Sequence, residues 1–491
     1  MLCVPRPPLR PPRRRRSLRS PRTADVRLDD LCASLPAVVE ADRSIVDIVD
    51  VEHDSRRAGP GHLFACVPGQ TTDGHDHAPA AIEAGAVAVL VERRLDVRVP
   101  QLVVPSVREA MGPAAAAVHG DPSSRIPVIG VTGTNGKTTT VRLIGDLLEQ
   151  LGASATEIGT LTGVRTTPEA PELQRVLAEA HRQGHAAVAM EVSSHALDLH
   201  RVDGTRFAVG VFTNLGVDHL DFHGDLQSYE AAKARLFTPE LTDLGIVSTD
   251  TEAGERITGT AGIPIIPVDT TAREAASNGP TGSRFRWRGH EVSLPLAGPF
   301  NVTNAALAAE AVAALGYDVD DVAVALGRVR GVPGRFETVH AGQAFTVVID
   351  YAHTPDGLEA VLAAAREITE RTLTVVFGAG GDRDQVKRPQ MGEVARRLAD
   401  RVVVTSDNPR GEAPEGIIAA IVSGMDASPE LVEVDRRRAI RHAIAGAREG
   451  DVVLIAGKGH ETTQTIGDEV LEFDDRVVAH EELRRLGGFD A

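Results

Sequence analysis

A glycine-rich segment in the first third of the chain contains the residue types that bind phosphate groups. It reads Gly-Thr-Asn-Gly-Lys-Thr-Thr from Gly133 to Thr139 and follows an apolar run that ends at Val131. Glycines let backbone N–H groups approach phosphate oxygens, lysine supplies a positive charge, and the hydroxyl of Thr138 can bind Mg2+. Val131 stands where the common GxxxxGK[ST] pattern has its first glycine. The order of apolar strand, glycines, Lys-Thr and helix nevertheless favours a phosphate-binding loop over a turn without a ligand.

Two further apolar runs end at polar residues. Ala186–Met190 is followed by Glu191, and Phe207–Phe212 precedes an acidic, histidine-rich stretch at residues 218–225. Ligands of open parallel sheets gather at the carboxyl ends of the strands, so we expect Glu191 to face the phosphate loop. No cysteine lies near residues 218–225 and hard oxygen atoms dominate there, which favours Mg2+ over Zn2+. A solvated acidic loop is the alternative for this stretch.

Lysine is almost absent from this sequence. Of the 52 lysine and arginine residues, only four are lysine: Lys137, Lys233, Lys387 and Lys458. Arginine keeps an essentially fixed charge, whereas lysine is an amine that can lose its proton or react. We infer that these four positions require an amine. At Lys233, a carbamate formed with carbon dioxide would supply two oxygen ligands to a metal, and an ordinary salt bridge is the alternative.

The elements that would position these residues form an α/β protein of several domains. Apolar strand-like runs alternate with amphipathic helical stretches, which is the pattern of parallel sheets. The stretches Pro122–Pro127 and Pro333–Gly334 look like breaks between domains. We therefore predict a disordered Arg/Pro-rich extension at residues 1–24 and three domains at residues 25–125, 126–334 and 335–491.

Composition limits the function classes. The chain has 491 residues and a formal net charge of −17, and residues 1–22 contain eight arginines and no acid. Removing those eight positive charges leaves −25 for the rest, which argues against nucleic acid as a partner. No apolar run is long enough to span a membrane, and three cysteines fit a reducing cytoplasm. A disordered tail or an upstream start is favoured over an organellar transit peptide for residues 1–22.

Nine short motifs occur in the order found in the Mur ligases. They are GTNGKTT, MEVSSH, FTNLGVDHLDFHG, SYEAAK, GRFE, DYAHTP, GGDRD, DNPR and GKGHE. From about residue 25 to its end, the chain resembles this family. The resemblance implies a Rossmann-like nucleotide-sugar domain, a central P-loop ATPase domain with a mostly parallel sheet, and a Rossmann-like C-terminal domain that binds an amino acid. It also implies an ATP-dependent ligase, which we expect to be a monomer, that activates a carboxylate as an acyl phosphate and couples it to an amine.

The resemblance assigns roles to residues by position. The implied ATP contacts are Gly133, Thr134, Asn135, Gly136, Lys137, Thr138, Thr139, Asn304, Arg335, Asp350 and His353. One Mg2+ is implied at Thr138 and Glu191, and a second at His219 and carbamylated Lys233. The implied catalytic residues are Lys137, His219 and Lys233. The implied contacts to the nucleotide sugar are His53, Ser55, Gln70, Thr71, Thr72, Arg165, Thr166, Thr167, Ser193, Leu199 and Arg201. Some relatives have asparagine at the position of Arg165 and glutamine at that of Leu199.

For the incoming amino acid, the resemblance implies contacts with Arg383, Asp407, Asn408, Pro409, Arg410, Gly457 and Glu461. The DNPR version of its motif is similar to that of ligases for meso-diaminopimelate, since an arginine fork can bind the second carboxylate of that amino acid. The implied reaction joins meso-diaminopimelate to the D-glutamyl γ-carboxylate of a UDP-N-acetylmuramoyl dipeptide, in peptidoglycan precursor synthesis. A ligase for L-lysine and a non-catalytic organellar relative are the alternatives.

Other function classes fit less well. A folylpolyglutamate synthase-like ligase shares the phosphate loop but poorly matches DNPR and EVSSHALDLHR. An oxidoreductase would rest on Gly378-Ala-Gly380-Gly381, which lacks the full GxGxxG spacing. A regulatory ATPase without ligase activity would not need the C-terminal motifs.

Overall fold

Three sheets, one after another along the chain, organise the computed structural model of this protein. The structure describes residues 26–42, 44–69, 72–163, 165–270, 277–279 and 281–487. The extension predicted at residues 1–24 lies outside the described residues, as do Gln70 and Thr71.

The N-terminal unit comprises the elements between residues 26 and 124. Its strands are β1 (Val26–Arg27), β2 (Glu40–Ala41), β3 (Asp47–Ile48), β4 (Asp50–Glu52), β5 (His62–Ala65), β6 (Ala88–Val91) and β7 (Gln101–Val103). Its α-helices are α1 (Leu28–Cys32), α2 (Ala78–Glu83) and α3 (Val107–Val118), with 3-10 turns at Ser55–Arg57, Gly74–His77 and Pro122–Ser124. The main sheet has the order β2-β7-β6-β5-β4, in which β2 runs antiparallel to its neighbour and the others are parallel. β1 pairs with β3 beside it.

The middle unit comprises the elements between residues 128 and 326. Its strands are β8 (Val128–Thr132), β9 (Ala155–Ile158), β10 (Ala187–Glu191), β11 (Val209–Phe212), β12 (Gly245–Ser248), β13 (Ile265–Val268), β14 (Ser277–Gly279), β15 (Gly282–Trp287) and β16 (His290–Leu294). Its α-helices are α4 (Lys137–Gln150), α5 (Ala170–Gln183), α6 (Ser194–Asp198), α7 (Leu220–His223), α8 (Leu226–Ala234), α9 (Glu252–Thr260), α10 (Pro299–Ala314) and α11 (Val319–Leu326), with a 3-10 turn at Arg235–Phe237. The order β13-β12-β11-β8-β10-β9 forms one fully parallel sheet, and β14-β15-β16 forms a small antiparallel one.

The C-terminal unit comprises the elements between residues 337 and 486. Its strands are β17 (Glu337–Val339), β18 (Thr346–Asp350), β19 (Leu373–Phe377), β20 (Arg401–Thr405), β21 (Leu431–Glu433), β22 (Val452–Ala456), β23 (Thr463–Ile466) and β24 (Glu469–Glu472). Its helices are α12 (Pro355–Glu367), α13 (Lys387–Leu398), α14 (Pro414–Val422), α15 (Arg436–Ala445) and α16 (Asp475–Leu486). The sheet order is β17-β18-β22-β19-β20-β21, with only β17 antiparallel, and β23 and β24 form a separate hairpin.

Helices cover both faces of the two large parallel sheets. In the middle unit, α4, α10 and α11 bury one face, and α5 and α9 contribute to the core on the other. In the C-terminal unit, α12, α13 and α14 cover one face, and α15 and α16 the other. A strand buried on both faces needs apolar residues at every position, which explains continuous apolar runs such as Leu373–Phe377.

Register places three loops at one edge of the middle sheet. β8 lies between β10 and β11, with Glu191 paired to Val131 and Phe212 paired to Thr132. Because all three strands are parallel, the loops that follow them share one edge, as the sequence predicts.

The predicted α/β class, the mostly parallel sheets and the succession of three units are confirmed. Strand ends differ from the predictions by a few residues, so the apolar run Phe207–Phe212 contains a strand at Val209–Phe212. The small sheet β14-β15-β16 and the hairpin β23–β24 were missed, because short antiparallel strands give a weaker pattern than buried parallel ones. The domain bounds at 125 and 334 stay predictions, and each sheet lies within one of the predicted ranges. No helix in the described ranges is long and apolar enough to cross a membrane.

Candidate functional site

The loop between β8 and α4 has the geometry of a phosphate cradle. Gly133 and Gly136 adopt φ angles of +146° and +86°, a region that favours glycine. A Cβ at Gly133 would lie 1.9 Å from Thr213 Oγ1, so a side chain does not fit there. Lys137 Nζ donates to the carbonyl oxygens of Gly133 and Thr134, each at 2.8 Å, and burial lowers the pKa of this amine. The ammonium is thus held over the loop at the N-terminus of a helix, where anions are favoured.

Residues after the neighbouring strand β11 hold this loop in place. Thr213 Oγ1 donates to the carbonyl of Asn135 at 2.6 Å. The carbonyl of Asn214 accepts from the Thr134 N–H, and Asn214 Oδ1 accepts from the Asn135 N–H, both at 2.9 Å. Hydrogen bonds from these neighbours therefore hold the loop in its shape.

Glu191 lies beside the start of α4, as predicted from the strand ends. Its side chain is buried, and Oε1 accepts hydrogen bonds from Thr138 Oγ1 at 3.0 Å and from the Thr160 N–H at 2.8 Å. A hydroxyl and a carboxylate this close are hard oxygen donors of the kind that Mg2+ prefers, so these residues fit the implied ion. No three His, Cys, Asp or Glu side chains among the described residues group as a metal site. A Mg2+ ion at Thr138 and Glu191 would therefore take other ligands from phosphate oxygens and water.

Lys233, on α8, is buried directly behind the phosphate loop. It is 1% exposed, its Nζ donates to the carbonyl of Gly133 at 2.9 Å, and the amine lies 4.3 Å from the centre of the Tyr229 ring. Asp218 is the carboxylate whose charge acts on this amine, but it forms no ion pair with it within 4.0 Å among the described residues. Burial, and then the positive charge of Lys137, lower the pKa of Lys233 well below its ordinary value. Only a neutral amine reacts with carbon dioxide, so this environment fits the implied carbamate.

His219 lies in the acidic stretch next to this amine. It has a φ of +55°, its Nε2 is 3.5 Å from Asp218 Oδ2, and its ring packs edge-on at 4.7 Å against that of His195. Burial lowers the pKa of His219, and Asp218 opposes that effect. Burial also lowers the pKa of His195 to about 4. Both imidazoles are thus neutral at neutral pH, the form that can bind a metal.

A cavity of about 360 Å3 opens between the middle and C-terminal units, beside the phosphate loop. Seven of the eleven residues implied for ATP line it: Asn135, Gly136, Thr139, Asn304, Arg335, Asp350 and His353. The Arg335 guanidinium stacks 4.4 Å from the centre of the Tyr351 ring. Burial raises the pKa of Asp350, whose carboxylate accepts from the N–H groups of Phe336 and Ala352. The cavity therefore has a polar end at the phosphate loop and contributions from both units.

The residues implied for the amino acid meet on loops after β20 and β22. Asp407 and Asn408 are buried, and Asn408 Nδ2 donates to Glu461 Oε2 at 2.8 Å. Arg410 has a φ of +52°, and its Nη1 donates to the carbonyl of Gly381 at 2.8 Å. These loops adjoin the nucleotide cavity, because the ring of Tyr351 lies 4.9 Å from that of His460, next to Glu461.

The other residues of that set have distinct surroundings. Arg383 is exposed, whereas Pro409 is buried. Gly457 has a φ of +120°, and a Cβ there would lie 3.0 Å from Asp407 Oδ2. A larger residue at Gly457 would therefore crowd this carboxylate.

Several residues implied for the nucleotide sugar form one network at the edge of the middle unit. Thr167 Oγ1 donates to the backbone carbonyl of Glu191 at 2.9 Å and lies 3.4 Å from Ser193 Oγ. The guanidinium groups of Arg165 and Arg201 both contact Glu169 Oε1, at 3.0 and 2.9 Å. Thr166 Oγ1 lies 3.1 Å from Thr160 Oγ1. The network joins the sugar-side residues to the carboxylate that faces the phosphate loop.

The rest of the sugar set lies apart from that network. His53 and Ser55 follow β4 in the N-terminal unit, where His53 Nδ1 is 3.3 Å from Glu52 Oε1, and Thr72 is exposed. Leu199 directly follows α6 and is partly buried. Gln70 and Thr71 lie outside the described residues.

Three residues connect these groups, although the sequence analysis assigned them no role. Glu169 joins the arginines of the sugar network, and its place directly after Thr-Thr-Pro was the available signal. Arg175, on α5, reaches the N-terminal unit and pairs with Asp50 and Glu52 at 3.0 Å each, and nothing local marks it. Lys458 was noticed as a rare lysine, and the structure buries it among the amino-acid loops.

Together, this arrangement can bind a nucleoside triphosphate between two units, with a metal at the phosphates and an amino acid on the adjoining loops. The geometry suits phosphoryl transfer followed by attack of an amine.

Comparison with known proteins gives consistent matches along the chain. Three family models match in succession: "Mur ligase family, catalytic domain" at residues 47–132, "Mur ligase middle domain" at 131–312, and "Mur ligase, glutamate ligase domain" at 334–459. A UDP-N-acetylmuramoyl-L-alanyl-D-glutamate–2,6-diaminopimelate ligase of Syntrophomonas wolfei is 47% identical over 464 residues, covering 89% of this chain and 95% of the relative. A ligase of the same name from Geobacillus thermodenitrificans is 44% identical over 481 residues, covering 92% and 98%. A solved structure of a ligase of that name superimposes with a TM-score of 0.69 at 32% identity, covering 94% of this chain and 99% of its own.

Proposed function

The chain belongs to the Mur ligase family, and from this premise we propose that it joins meso-diaminopimelate to the D-glutamyl γ-carboxylate of UDP-N-acetylmuramoyl-L-alanyl-D-glutamate in an ATP-dependent reaction. The observation that carries the proposal is that the amino-acid loops adjoin the cavity beside the phosphate loop, because Tyr351, which lines that cavity, lies 4.9 Å ring to ring from His460. Relatives that are named for this reaction and are 44–47% identical over most of the chain support it.

In the first step, the γ-carboxylate attacks the γ-phosphorus of ATP, giving an acyl phosphate and ADP. Lys137 and the backbone N–H groups of the loop after β8 would hold the transferring phosphoryl group. Thr138 and Glu191 would hold one Mg2+, and His219 and carbamylated Lys233 a second; when bound, Mg2+ neutralises charge on the phosphate oxygens. Arg335, Asp350 and His353 would contact the nucleotide from the C-terminal unit.

In the second step, the amine of the incoming amino acid attacks the acyl carbon, a C–N bond forms, and phosphate leaves. Arg410 offers a guanidinium for the second carboxylate of diaminopimelate, and Asp407 and Glu461 offer carboxylates for its ammonium. Enclosure by the C-terminal unit would keep water from the acyl phosphate. L-lysine lacks the second carboxylate, so Arg410 favours diaminopimelate over the lysine alternative.

The reaction uses ATP and a nucleotide sugar, so we propose a cytoplasmic enzyme, and we propose that it acts as a monomer because one chain supplies every group named above. The predicted extension at residues 1–24 and the domain bounds at 25–125, 126–334 and 335–491 remain part of the proposal.

The decisive experiment measures phosphate release by the purified full chain with ATP and Mg2+. We expect release only when both the UDP-N-acetylmuramoyl dipeptide and meso-diaminopimelate are present, with L-lysine a poor replacement. Mass spectrometry of the product should show one added diaminopimelate residue. Equal use of L-lysine would favour the alternative ligase, and ATP turnover that needs neither substrate would contradict the proposal.

A further inference from the structure

One buried ammonium among the amino-acid loops has no part in the steps above. The side chain of Lys458, just after β22, is 0% exposed. Its Nζ lies 2.6 Å from the carbonyl oxygen of Thr463, 3.3 Å from Asn408 Oδ1 and 3.4 Å from Glu461 Oε2. Asp407 Oδ1 is 3.8 Å away. Burying a charge is costly unless it is paired, and three of these four partners belong to the proposed amino-acid pocket.

Lys458 and a backbone N–H together fix which way the Asn408 amide points. The ammonium and the backbone N–H of Thr465, at 3.0 Å, are both donors and both face the same atom of Asn408. A donor needs an acceptor, so that atom must be the amide oxygen, and Nδ2 must face Glu461. The carboxylate of Glu461 is therefore held from two sides, by the Asn408 amide and by the Lys458 ammonium.

Lys458 also sets the charge of the pocket. Asp407 and Glu461 bring two carboxylates, which face the Lys458 ammonium, while the guanidinium groups of Arg383 and Arg410 lie farther from them. The nearby Arg436 guanidinium is already matched by Asp475, with contacts of 2.7 and 2.8 Å. Asp407 Oδ1 is buried and has no hydrogen-bond partner among the described residues. Among the described residues, Lys458 is thus the one cation within 4.0 Å of these two carboxylates, and Asp407 Oδ1 is an unused acceptor, which matches one ammonium group.

We propose that Lys458 is a positioning residue that acts through Asp407, Asn408 and Glu461 and presets the pocket for a single ammonium of the incoming amino acid. This inference rests on the proposed function and adds a specificity element to it. A lysine is required because a compact ammonium fits an enclosed space among four oxygen atoms, whereas the planar guanidinium of arginine does not. The retention of lysine at this position in an arginine-rich chain has the same explanation.

The test compares Lys458→Gln with Lys458→Arg in the full chain. Glutamine keeps a donor for Thr463 but removes the charge, and carboxylates that lose a nearby cation titrate at higher pH. The KM for meso-diaminopimelate should rise by about 30-fold or more at neutral pH, as expected for loss of one partner of a buried charge pair. A new ionisation above the normal carboxylate range should appear in the pH profile of kcat/KM for that amino acid. Lys458→Arg keeps the charge and should not show this ionisation.

Hydroxylamine reports on formation of the acyl phosphate without use of the amino-acid pocket. It intercepts the acyl phosphate by attack of its nitrogen on the acyl carbon, with loss of phosphate, and needs no amino-acid pocket. Hydroxamate formation by Lys458→Gln should stay within about threefold of wild type, in line with a group that acts only on the second substrate. An unchanged KM and pH profile for diaminopimelate, a parallel loss of hydroxamate formation, or failure of both variants to fold in thermal melts would overturn the inference. Wild-type protein that forms no hydroxamate would instead contradict the proposed function itself.

Discussion

Replacing Lys233 by arginine tests the carbamate directly. The site is buried, the amine has one hydrogen bond to the carbonyl of Gly133, and its other close neighbour is the ring of Tyr229. Arginine carries a positive charge that it does not lose, and it has no amine that reacts with carbon dioxide. If the ordinary ammonium is the working form, Lys233→Arg should keep much of the activity. If the carbamate is the working form, the variant loses two oxygen ligands and gains a fixed positive charge beside the phosphates.

The expected loss is large. Removing one positioned group that stabilises developing charge costs about 10²–10³ in kcat, and a fixed positive charge adds repulsion towards metal ions. A buried guanidinium without a carboxylate partner should also lower the free energy of unfolding by about 3–5 kcal/mol. We therefore expect kcat for phosphate release to fall at least ~100-fold in Lys233→Arg, with a lower melting temperature. Lys233→Met is the matched control, since it fills similar space without a charge and should lose activity while keeping more stability.

Rescue distinguishes a missing ligand from a damaged fold. Lys233→Ala opens space behind the phosphate loop, and added formate or acetate should supply the lost carboxylate oxygens and raise kcat by about tenfold or more, while Lys137→Ala should not respond. Isotope-labelled bicarbonate should give a carbamate signal in wild type that is absent in Lys233→Arg. Activity of Lys233→Arg within a few-fold of wild type, or a wild-type enzyme indifferent to removal of carbon dioxide, would refute the reasoning.

Three further outcomes are expected. Lys137→Ala should lower kcat for phosphate release by roughly 10²–10³ while the melting temperature changes little, and a loss of only a few-fold would contradict the phosphate-loop assignment. Arg410→Ala should lower kcat/KM for meso-diaminopimelate by roughly 30- to several thousand-fold and affect L-lysine far less, so equal losses for both would make Arg410 structural. Burial raises the pKa of Glu52, but hydrogen bonds from His53 and Asp54 outweigh it and lower that pKa to about 2, from an ordinary value of 4.5. The stabilisation by Glu52 is complete above pH 4.5 and is lost as pH falls through about 2. In urea titrations at pH 7, the free energy of unfolding of Glu52→Gln should therefore be about 3 kcal/mol below that of wild type. This difference should narrow below pH 4.5. A difference that does not change with pH would contradict the role given to the Glu52 carboxylate.

Residues whose position follows from a strand end were predictable from the sequence. Glu191 is the example, because a buried parallel strand has a continuous apolar run, and the residue after it must lie at the ligand edge. The phosphate loop was predictable for a similar reason, since its glycines, lysine and helix follow one another along the chain. The residues of the C-terminal unit could be assigned roles only because several motifs occur in the order found in the family. The DNPR motif alone would have indicated a turn.

Contacts between distant segments were not predictable. Arg175 and Glu52 are 123 residues apart in the sequence, and neither has a local pattern that points to the other. The environment of Lys458 depends on the carbonyl of Thr463 at the start of β23, and the hairpin that contains it was itself missed. Sequence reasoning recognised that this lysine was unusual, but its neighbours follow only from tertiary packing.

The nucleotide cavity has a consequence for the cohesion of the molecule. Its walls include Gly136 and Asn304 from the middle unit, and Asp350 and His353 from the C-terminal unit. A ligand that contacts both units binds their docked arrangement, so its binding free energy also stabilises that arrangement, by about 2.7 kcal/mol at a concentration 100 times Kd. Calorimetry should show the two units unfolding more nearly as one when ATP is present. The substrate that the reaction consumes is thus also part of what holds the two units together, and that contribution rises and falls once in each turnover.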